Sequence, residues 1–179
     1  MQLDFHYLPK QEIQWSIAKS PDHLEKTFKQ IFPNVKLDPL WIVPTWQKAS
    51  VDMSGFGEEV TEERDKFTDK FCLWAEQVCR NIIQKGFWAD FIDPGSGIPY
   101  IGERGSTVYM ETDDAVSALG IEVADLGCCK AVCHHDWGFH AFLATLFSNA
   151  PKEVIMEVMV PFDAVIDQMQ AIERSDEKK

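Results

Sequence analysis

The chain has 179 residues, of which 45% are hydrophobic, and its formal net charge is −12. This length and composition suffice for one well-packed core, so a single domain is expected. The negative charge argues against binding a phosphate backbone or an anionic membrane surface. No apolar run approaches the roughly 20 residues that a transmembrane helix requires. We therefore expect neither a nucleic-acid partner nor a membrane.

The five cysteines indicate the compartment. They form an odd number, at positions 72, 79, 128, 129 and 133, without the spacing of a disulfide framework, so free thiols in a reducing compartment are expected. The first thirty residues contain no arginine and no apolar signal core, which predicts no presequence. These features favour a cytoplasmic location.

The first elements follow from short apolar patterns. Alternation predicts a strand over residues 13–17. A helix is expected next, with Ser20 as its N-cap and Pro21 at its first position. Residues 40–46 are typical of a second strand, in which Pro44 predicts an edge position or a bulge.

The central part contains the strongest periodic signal. A long helix is expected from Thr61 to Lys85, because an apolar stripe recurs at helical spacing and Gly86 supplies a stop. The stripe consists of Phe67, Phe71, Trp74, Val78 and Ile82. Strands are predicted over 87–92, 98–101 and 107–111, and a short helix over 113–120.

The last part is predicted to contain two neighbouring strands, 128–134 and 139–147, joined by residues 135–138. A final helix begins at Pro151, and Pro161 is expected to break it. We expect one domain over 1–160, followed by a helical extension and charged tail over 161–179. The close-coupled strand pairs favour an α+β fold with a largely antiparallel sheet flanked by helices.

Adjacent cysteines are the most informative chemical feature. If Cys128 and Cys129 lie on a strand, their side chains point to opposite faces, so one sulfur can be buried and the other exposed. A thiolate is a soft metal ligand and a nucleophile. Gly127 allows close approach of a large ligand, and Lys130 and His134 are expected to favour the thiolate. Core packing is the alternative for any single cysteine, and it is our expectation for Cys129 and Cys133.

Other sites are disfavoured by spacing. The pattern C-C-x3-C-H-H-x4-H matches no paired zinc-ligand pattern, and Cys128 and His134 would lie roughly 20 Å apart on a strand. A strand would also hold the sulfurs of Cys128 and Cys129 too far apart for a vicinal disulfide. A loose set of carboxylates, Asp90, Asp93, Asp113 and Asp114, has no spacing that specifies acid–base catalysis. We find no catalytic constellation, and the residues alone indicate an acidic α+β domain with one reactive thiol.

A family resemblance emerges from several segments together. The segments are Gly86-Phe87-Trp88-Ala89-Asp90-Phe91-Ile92-Asp93-Pro94-x-Ser96-Gly97, Glu111-Thr112-Asp113, Leu119-Gly120, Asp125-Leu126-Gly127-Cys128-Cys129-Lys130, Trp137-Gly138-x-His140 and Phe147-x-Asn149-Ala150. In these segments the sequence resembles the methylmalonic aciduria and homocystinuria type D family, cblD, over roughly residues 12–158.

The resemblance implies a fold and a role. The folded domain of the family is similar to nitroreductases and flavin reductases but does not bind flavin. Its members are cobalamin-trafficking adaptors rather than enzymes, which accept cobalamin from the cblC processing protein and direct it to methionine synthase or methylmalonyl-CoA mutase. A monomer that pairs one-to-one with cblC is implied, and longer family members carry a mitochondrial signal.

The resemblance also implies site residues. Cys128 would coordinate the cobalt of cobalamin while the partner holds the corrin, with Gly127 and Cys129 beside it. The docking surface would include Asp113, Leu126, Lys130 and Trp137. The D-x-H-x-x-G cobalamin-binding motif is absent, so binding is expected only with the partner, and neither flavin nor zinc is expected. The alternative is a flavin- or thiol-dependent oxidoreductase on the same scaffold.

Overall fold

Two antiparallel sheets organise the chain, whose computed structural model describes residues 3–10, 12–112 and 114–159. The strands are β1 (His6–Leu8), β2 (Ile13–Trp15), β3 (Ala18–Lys19), β4 (Trp41–Lys48), β5 (Ala89–Phe91), β6 (Glu122–Asp125), β7 (Lys130–Cys133) and β8 (Ala141–Ser148). The main sheet has the order β1-β2-β4-β8-β5, with β3 also paired to β4, and β6 and β7 form a separate sheet. Every strand pair is antiparallel, which confirms the predicted fold class.

Helices cover both faces of the main sheet. They are α1 (Glu25–Ile31), α2 (Glu58–Gln84), α3 (Asp114–Ala118) and α4 (Lys152–Met159). Side chains alternate between the two faces of β8, so that Leu146 packs with α2 and α4 while Phe147 packs with α1 and α3. The central strands β4 and β8 are therefore buried almost throughout, because helices cover both of their faces.

The long helix α2 confirms the strongest prediction. All five residues of its predicted stripe are buried, and the helix stops before Gly86, whose φ of +87° suits glycine. It begins at Glu58 rather than Thr61, since Glu58 and Glu59 place negative charge at the positive end of the helix dipole.

Two predictions near the N-terminus need correction. Ser20 is not the helix N-cap: Pro21 is extended, a 3-10 turn follows over Asp22–Leu24, and α1 begins only at Glu25. Strand β4 is central rather than at an edge. Pro44 is tolerated there because its carbonyl accepts a hydrogen bond from the Ser16 nitrogen, 3.1 Å away, at the interruption between β2 and β3. Ser16 lies opposite Pro44 in the register that β2 and β3 share with β4, so the missing N–H of Pro44 removes the return bond of this pair and interrupts the ladder there.

The predicted strands over 98–101 and 107–111 are wrong. This region makes one isolated bridge, between Ile92 and Pro99. It is held instead by Asp90, whose buried carboxylate accepts hydrogen bonds from the backbone nitrogens of Tyr100, Ile101 and Gly102. Such side-chain anchoring replaces a strand ladder.

The predicted pairing of the last two strands is also wrong. β7 pairs with β6, whereas β8 lies between β4 and β5. Helix α4 follows Pro151 as predicted, but Pro161 and the proposed tail lie outside the described residues. The likeness to nitroreductases and the domain boundary at residue 160 stay predictions.

Candidate functional site

The hairpin between β6 and β7 carries the cysteine pair at its turn. Asp125 faces Lys130 in register, and the Leu126 nitrogen donates a hydrogen bond to the Cys129 carbonyl over 2.9 Å. Gly127 and Cys128 are thus the two central residues. Gly127 has a φ of +82°, and Cys128 does not have a positive φ, which is the pattern of a type II′ turn. The Asp125 carboxylate accepts from the Gly127 nitrogen at 2.8 Å and supports the turn.

This position overturns the predicted strand geometry of the pair. Cys128 and Cys129 precede β7, so their side chains need not point to opposite faces. Their Sγ atoms lie 3.5 Å apart, within reach of a weak sulfur hydrogen bond and beyond the roughly 2.05 Å of a disulfide. The premise that the chain holds the two sulfurs far apart is therefore wrong. Both cysteines are free.

Cys128 is accessible at the tip of the turn. Among the five cysteines, all within the described residues, it alone is exposed. A side chain built at Gly127 would meet nothing within 4 Å, so the space beside Cys128 is open. Leu126 and Lys130 are exposed on either side. A bulky, planar ligand can approach this sulfur without a steric barrier from the turn.

The other thiols are held in the protonated form. The pKa of the Cys129 thiol is raised mainly by its hydrogen bond with Cys128 and secondly by burial. Burial raises the pKa of Cys72 to about 11 and raises those of Cys79 and Cys133 as well. Raised pKa values make these four thiols poor ligands and nucleophiles at neutral pH.

A groove of about 320 Å³ runs beside the turn. Cys129 and Lys130 line one side, and Met53, Phe56 and Arg64 line the other. Phe56 is 84% exposed, which is unusual for a phenylalanine. No pattern in the sequence indicates this groove, because it joins segments about seventy residues apart in the chain.

His134 does not support the Cys128 thiolate as predicted, because β7 lies between it and the turn. Its Nδ1 accepts hydrogen bonds from the backbone nitrogens of Asp136 and Trp137, at 3.2 and 3.3 Å. The proton must then be on Nε2, which donates to the Gln14 Oε1 at 2.6 Å. Burial lowers the pKa of His134 to about 4. This histidine is neutral and holds the turn that follows β7.

One set of potential metal ligands lies around the same histidine. Ligand atoms of His134, His135 and Asp136 lie within 4.8 Å of one another. Both ring nitrogens of His134 already have hydrogen-bond partners, however, and His135 contacts the Asp136 carboxylate at 2.9 Å. A metal ion would have to displace these bonds. We therefore interpret the three residues as part of a turn that hydrogen bonds stabilise, rather than as a metal site.

The residues predicted for docking do not form one surface around Cys128. Leu126 and Lys130 flank it. Trp137 lies beyond the opposite end of β7, half-buried and stacked on His134 with ring centroids 4.0 Å apart. Asp113 lies outside the described residues. A larger cavity, of about 510 Å³, also lies near Trp137's end of the hairpin and is lined in part by Phe5, Trp46 and Cys133.

Among the described residues, no helix is both long and apolar enough to cross a membrane.

Comparison with known proteins identifies relatives over most of the chain. The family model described as methylmalonic aciduria and homocystinuria type D protein matches residues 3–159. Proteins named cobalamin trafficking protein CblD are similar: the human protein is 38% identical over 152 residues, and the chicken protein is 35% identical over 151. Both alignments cover 84% of this chain and 51% of the relative. The mouse protein is 37% identical over 147 residues.

The chain thus spans about half the length of the curated relatives that it matches. The family match includes both sheets, the four helices and the cysteine turn. It also ends at the last described residue. The chain belongs to the methylmalonic aciduria and homocystinuria type D protein family.

Proposed function

We propose that this protein acts in cobalamin trafficking, as the names of its relatives state for them. In this proposal Cys128 supplies a thiolate to the cobalt of cobalamin, while the cblC processing protein holds the corrin. The cargo then passes toward methionine synthase or methylmalonyl-CoA mutase. The protein acts as an adaptor in the cytoplasm, pairs one-to-one with cblC, and turns over no substrate.

The exposure of Cys128 at a two-residue turn is the observation that supports this role. A cobalt ion at the centre of a corrin is accessible only along the axis of the ring. A ligand from a second protein must therefore project beyond its own surface. Cys128 does so, with a glycine before it and open space beside that glycine. A thiolate is a soft ligand suited to such a metal centre.

A spectral titration addresses this proposal. We expect the visible spectrum of cob(II)alamin bound to cblC protein to change on adding this protein, because a sulfur ligand alters the electronic transitions of cobalt. Cys128→Ser should abolish the change, whereas Cys129→Ser should retain it. If only Cys129→Ser abolished the change, the ligand would be Cys129 and our assignment to Cys128 would be wrong. If both variants retained the change, thiolate coordination by this pair would be excluded.

A further inference from the structure

The loop before α2 presents an aromatic ring to solvent at the edge of the groove beside the cysteine turn. Phe56 is 84% exposed, although removing such a ring from water is favourable. The groove next to it is lined by apolar side chains, from Met53 in the same loop, Val132 in β7, and Phe142 and Leu143 in β8. An exposed ring beside an apolar groove is typical of a surface that a partner covers.

Hydrogen bonds hold the loop that carries Phe56. The Glu63 carboxylate accepts from the backbone nitrogen and the hydroxyl of Ser50, each at 2.8 Å. The Met53 nitrogen donates to the Phe139 carbonyl at 2.9 Å. The ring is therefore presented on a backbone that is fixed before a partner binds, which reduces the entropy lost on binding.

The charges at the groove favour an anionic group on the partner. Arg64 and Lys130 line the groove from its two sides, and neither forms an ion pair with another residue that the structure describes. Arg64 makes one hydrogen bond, to the Met53 carbonyl at 3.3 Å, so most of its five donors remain available. The lining carboxylate of Glu111 accepts from the Thr145 hydroxyl at 2.7 Å. Two cations beside apolar side chains suit a carboxylate that neighbours an apolar group.

The groove adjoins the proposed cobalt ligand. Cys129 and Lys130 follow Cys128 directly in the chain, and both line the groove. A partner that holds a corrin against Cys128 therefore brings the protein around that corrin close to the groove. A second copy of this chain is a poorer occupant, because two chains of net charge −12 repel each other.

We propose that this groove is a docking site for the corrin-bearing partner, and that it receives a partner segment in which a carboxylate neighbours an apolar side chain. The apolar side chain packs on Phe56 and into the groove, and the carboxylate pairs with Arg64 and Lys130. This inference rests on the proposed function, because that function supplies the corrin-bearing partner. It gives a binding role to Phe56 and Arg64, two residues outside the predicted docking set.

Affinity measurements on single variants test the docking site. Binding to cblC protein loaded with cob(II)alamin is measured by biolayer interferometry. We expect Phe56→Ser to weaken the affinity roughly 10- to 30-fold and Arg64→Glu to weaken it roughly tenfold. Leu73→Ser removes an apolar side chain that is 59% exposed elsewhere on α2. Arg104→Glu makes the same charge change in the segment that contacts α1, and both control variants should bind like the wild type.

A photo-crosslinker at the same position identifies the partner segment. The variant Phe56→p-benzoylphenylalanine is irradiated in complex with cblC protein, and the attached peptide is sequenced by mass spectrometry. We expect a peptide in which an aspartate or glutamate neighbours an apolar residue. Changing that carboxylate to lysine in cblC should weaken binding to the wild type, and Arg64→Glu should restore it, since the two charges are then exchanged.

Wild-type affinity in either Phe56→Ser or Arg64→Glu would overturn the inference, and so would a failure of the exchanged charges to restore binding. A homodimer that Phe56→Ser dissociates, with unchanged affinity for cblC, would assign the groove to a second copy instead. The cobalt titration separates these failures from failure of the proposed function. If the groove variants bind normally while Cys128→Ser abolishes the spectral change, Cys128 remains the ligand and only the docking site is wrong. If the groove variants weaken binding while Cys128→Ser leaves the spectral change intact, the docking site stands and cobalt coordination by Cys128 fails.

Discussion

His134 shows how a single residue is fixed by hydrogen bonds that connect distant segments. Its neutral ring accepts two backbone N–H groups on one side and donates to Gln14 on the other. Trp137 stacks on its face and Trp46 meets it edge-on. A protonated ring could not accept through Nδ1, so folding requires the neutral form.

This requirement predicts how stability depends on pH. The folded pKa of His134 is about 4, below the usual 6.5, so the unfolded chain binds more protons between these values. The stabilising contribution is complete above pH 6.5 and is lost as the pH falls toward 4. We expect His134→Asn, whose side-chain oxygen can still accept the two N–H groups, to flatten the fall in melting temperature across this window. His23→Asn, an exposed histidine, serves as the control. An equally steep fall in both variants would contradict this account.

Cysteine positions were visible in the sequence, but their relation to each other was not. The resemblance gave Cys128 its predicted role as cobalt ligand, which stays a prediction, whereas the strand rule misplaced both cysteines because it put them on a strand that begins only at Lys130. A glycine at the first central position of a two-residue loop between alternating segments was the signal for a turn here. The juxtaposition of the two sulfurs depends on turn geometry, which residue spacing alone does not give.

At the scale of secondary structure, local signals were sufficient where they were periodic. Helix α2 was predictable because the spacing of its apolar residues is visible within its own sequence, whichever elements it packs against. The segment 98–112 was not, because distant atoms determine its path. Asp90 binds three of its backbone nitrogens, and a Cβ at Gly105 would lie 1.9 Å from the Gln30 carbonyl oxygen. No pattern in the sequence reports such contacts.

The hairpin turn gives a prediction at this scale. Gly127 has a φ of +82°, and alanine at this position costs about 1–2 kcal/mol of turn stability. If the turn must form for binding, this cost weakens the apparent affinity in the proposed cobalt titration by roughly 5- to 30-fold. Gly127→Asn should recover most of the loss, because asparagine tolerates a positive φ. Gly95→Ala is the control, since its Cβ would make only ordinary contacts, at 3.7 Å, in another turn. Equal affinities for Gly127→Ala and wild type would show that the turn conformation does not matter for binding.

At the scale of the whole molecule, the proposed site lies on a hairpin outside the main sheet and its core. The main sheet is buried on both faces, while the β6–β7 hairpin forms a sheet of its own outside that order. Substitutions at the tip of the turn can therefore test the proposed cobalt coordination without removing core contacts. The variants Cys128→Ser and Cys129→Ser consequently report on chemistry rather than on folding.

Helix α4 covers one face of the main sheet at the C-terminal end of the described residues. Helix α4 buries Ile155, Val158 and Met159 against the α2 side of the sheet. At about 1.5–3 kcal/mol for each buried apolar side chain, α4 contributes roughly 5–9 kcal/mol, which is comparable to the whole stability of a typical domain, about 5–15 kcal/mol.

We therefore expect a chain ending at Met159 to unfold cooperatively near the wild-type melting temperature. A chain ending at Ala150, which lacks α4, should show no cooperative transition, because it exposes the apolar face of α2. Circular dichroism during heating measures both. The two truncations differ only by residues 151–159, so they isolate the contribution of α4 from that of residues 160–179. A stable chain ending at Ala150 would show that the α2 face does not need α4, and an unfolded chain ending at Met159 would place the domain boundary beyond residue 160.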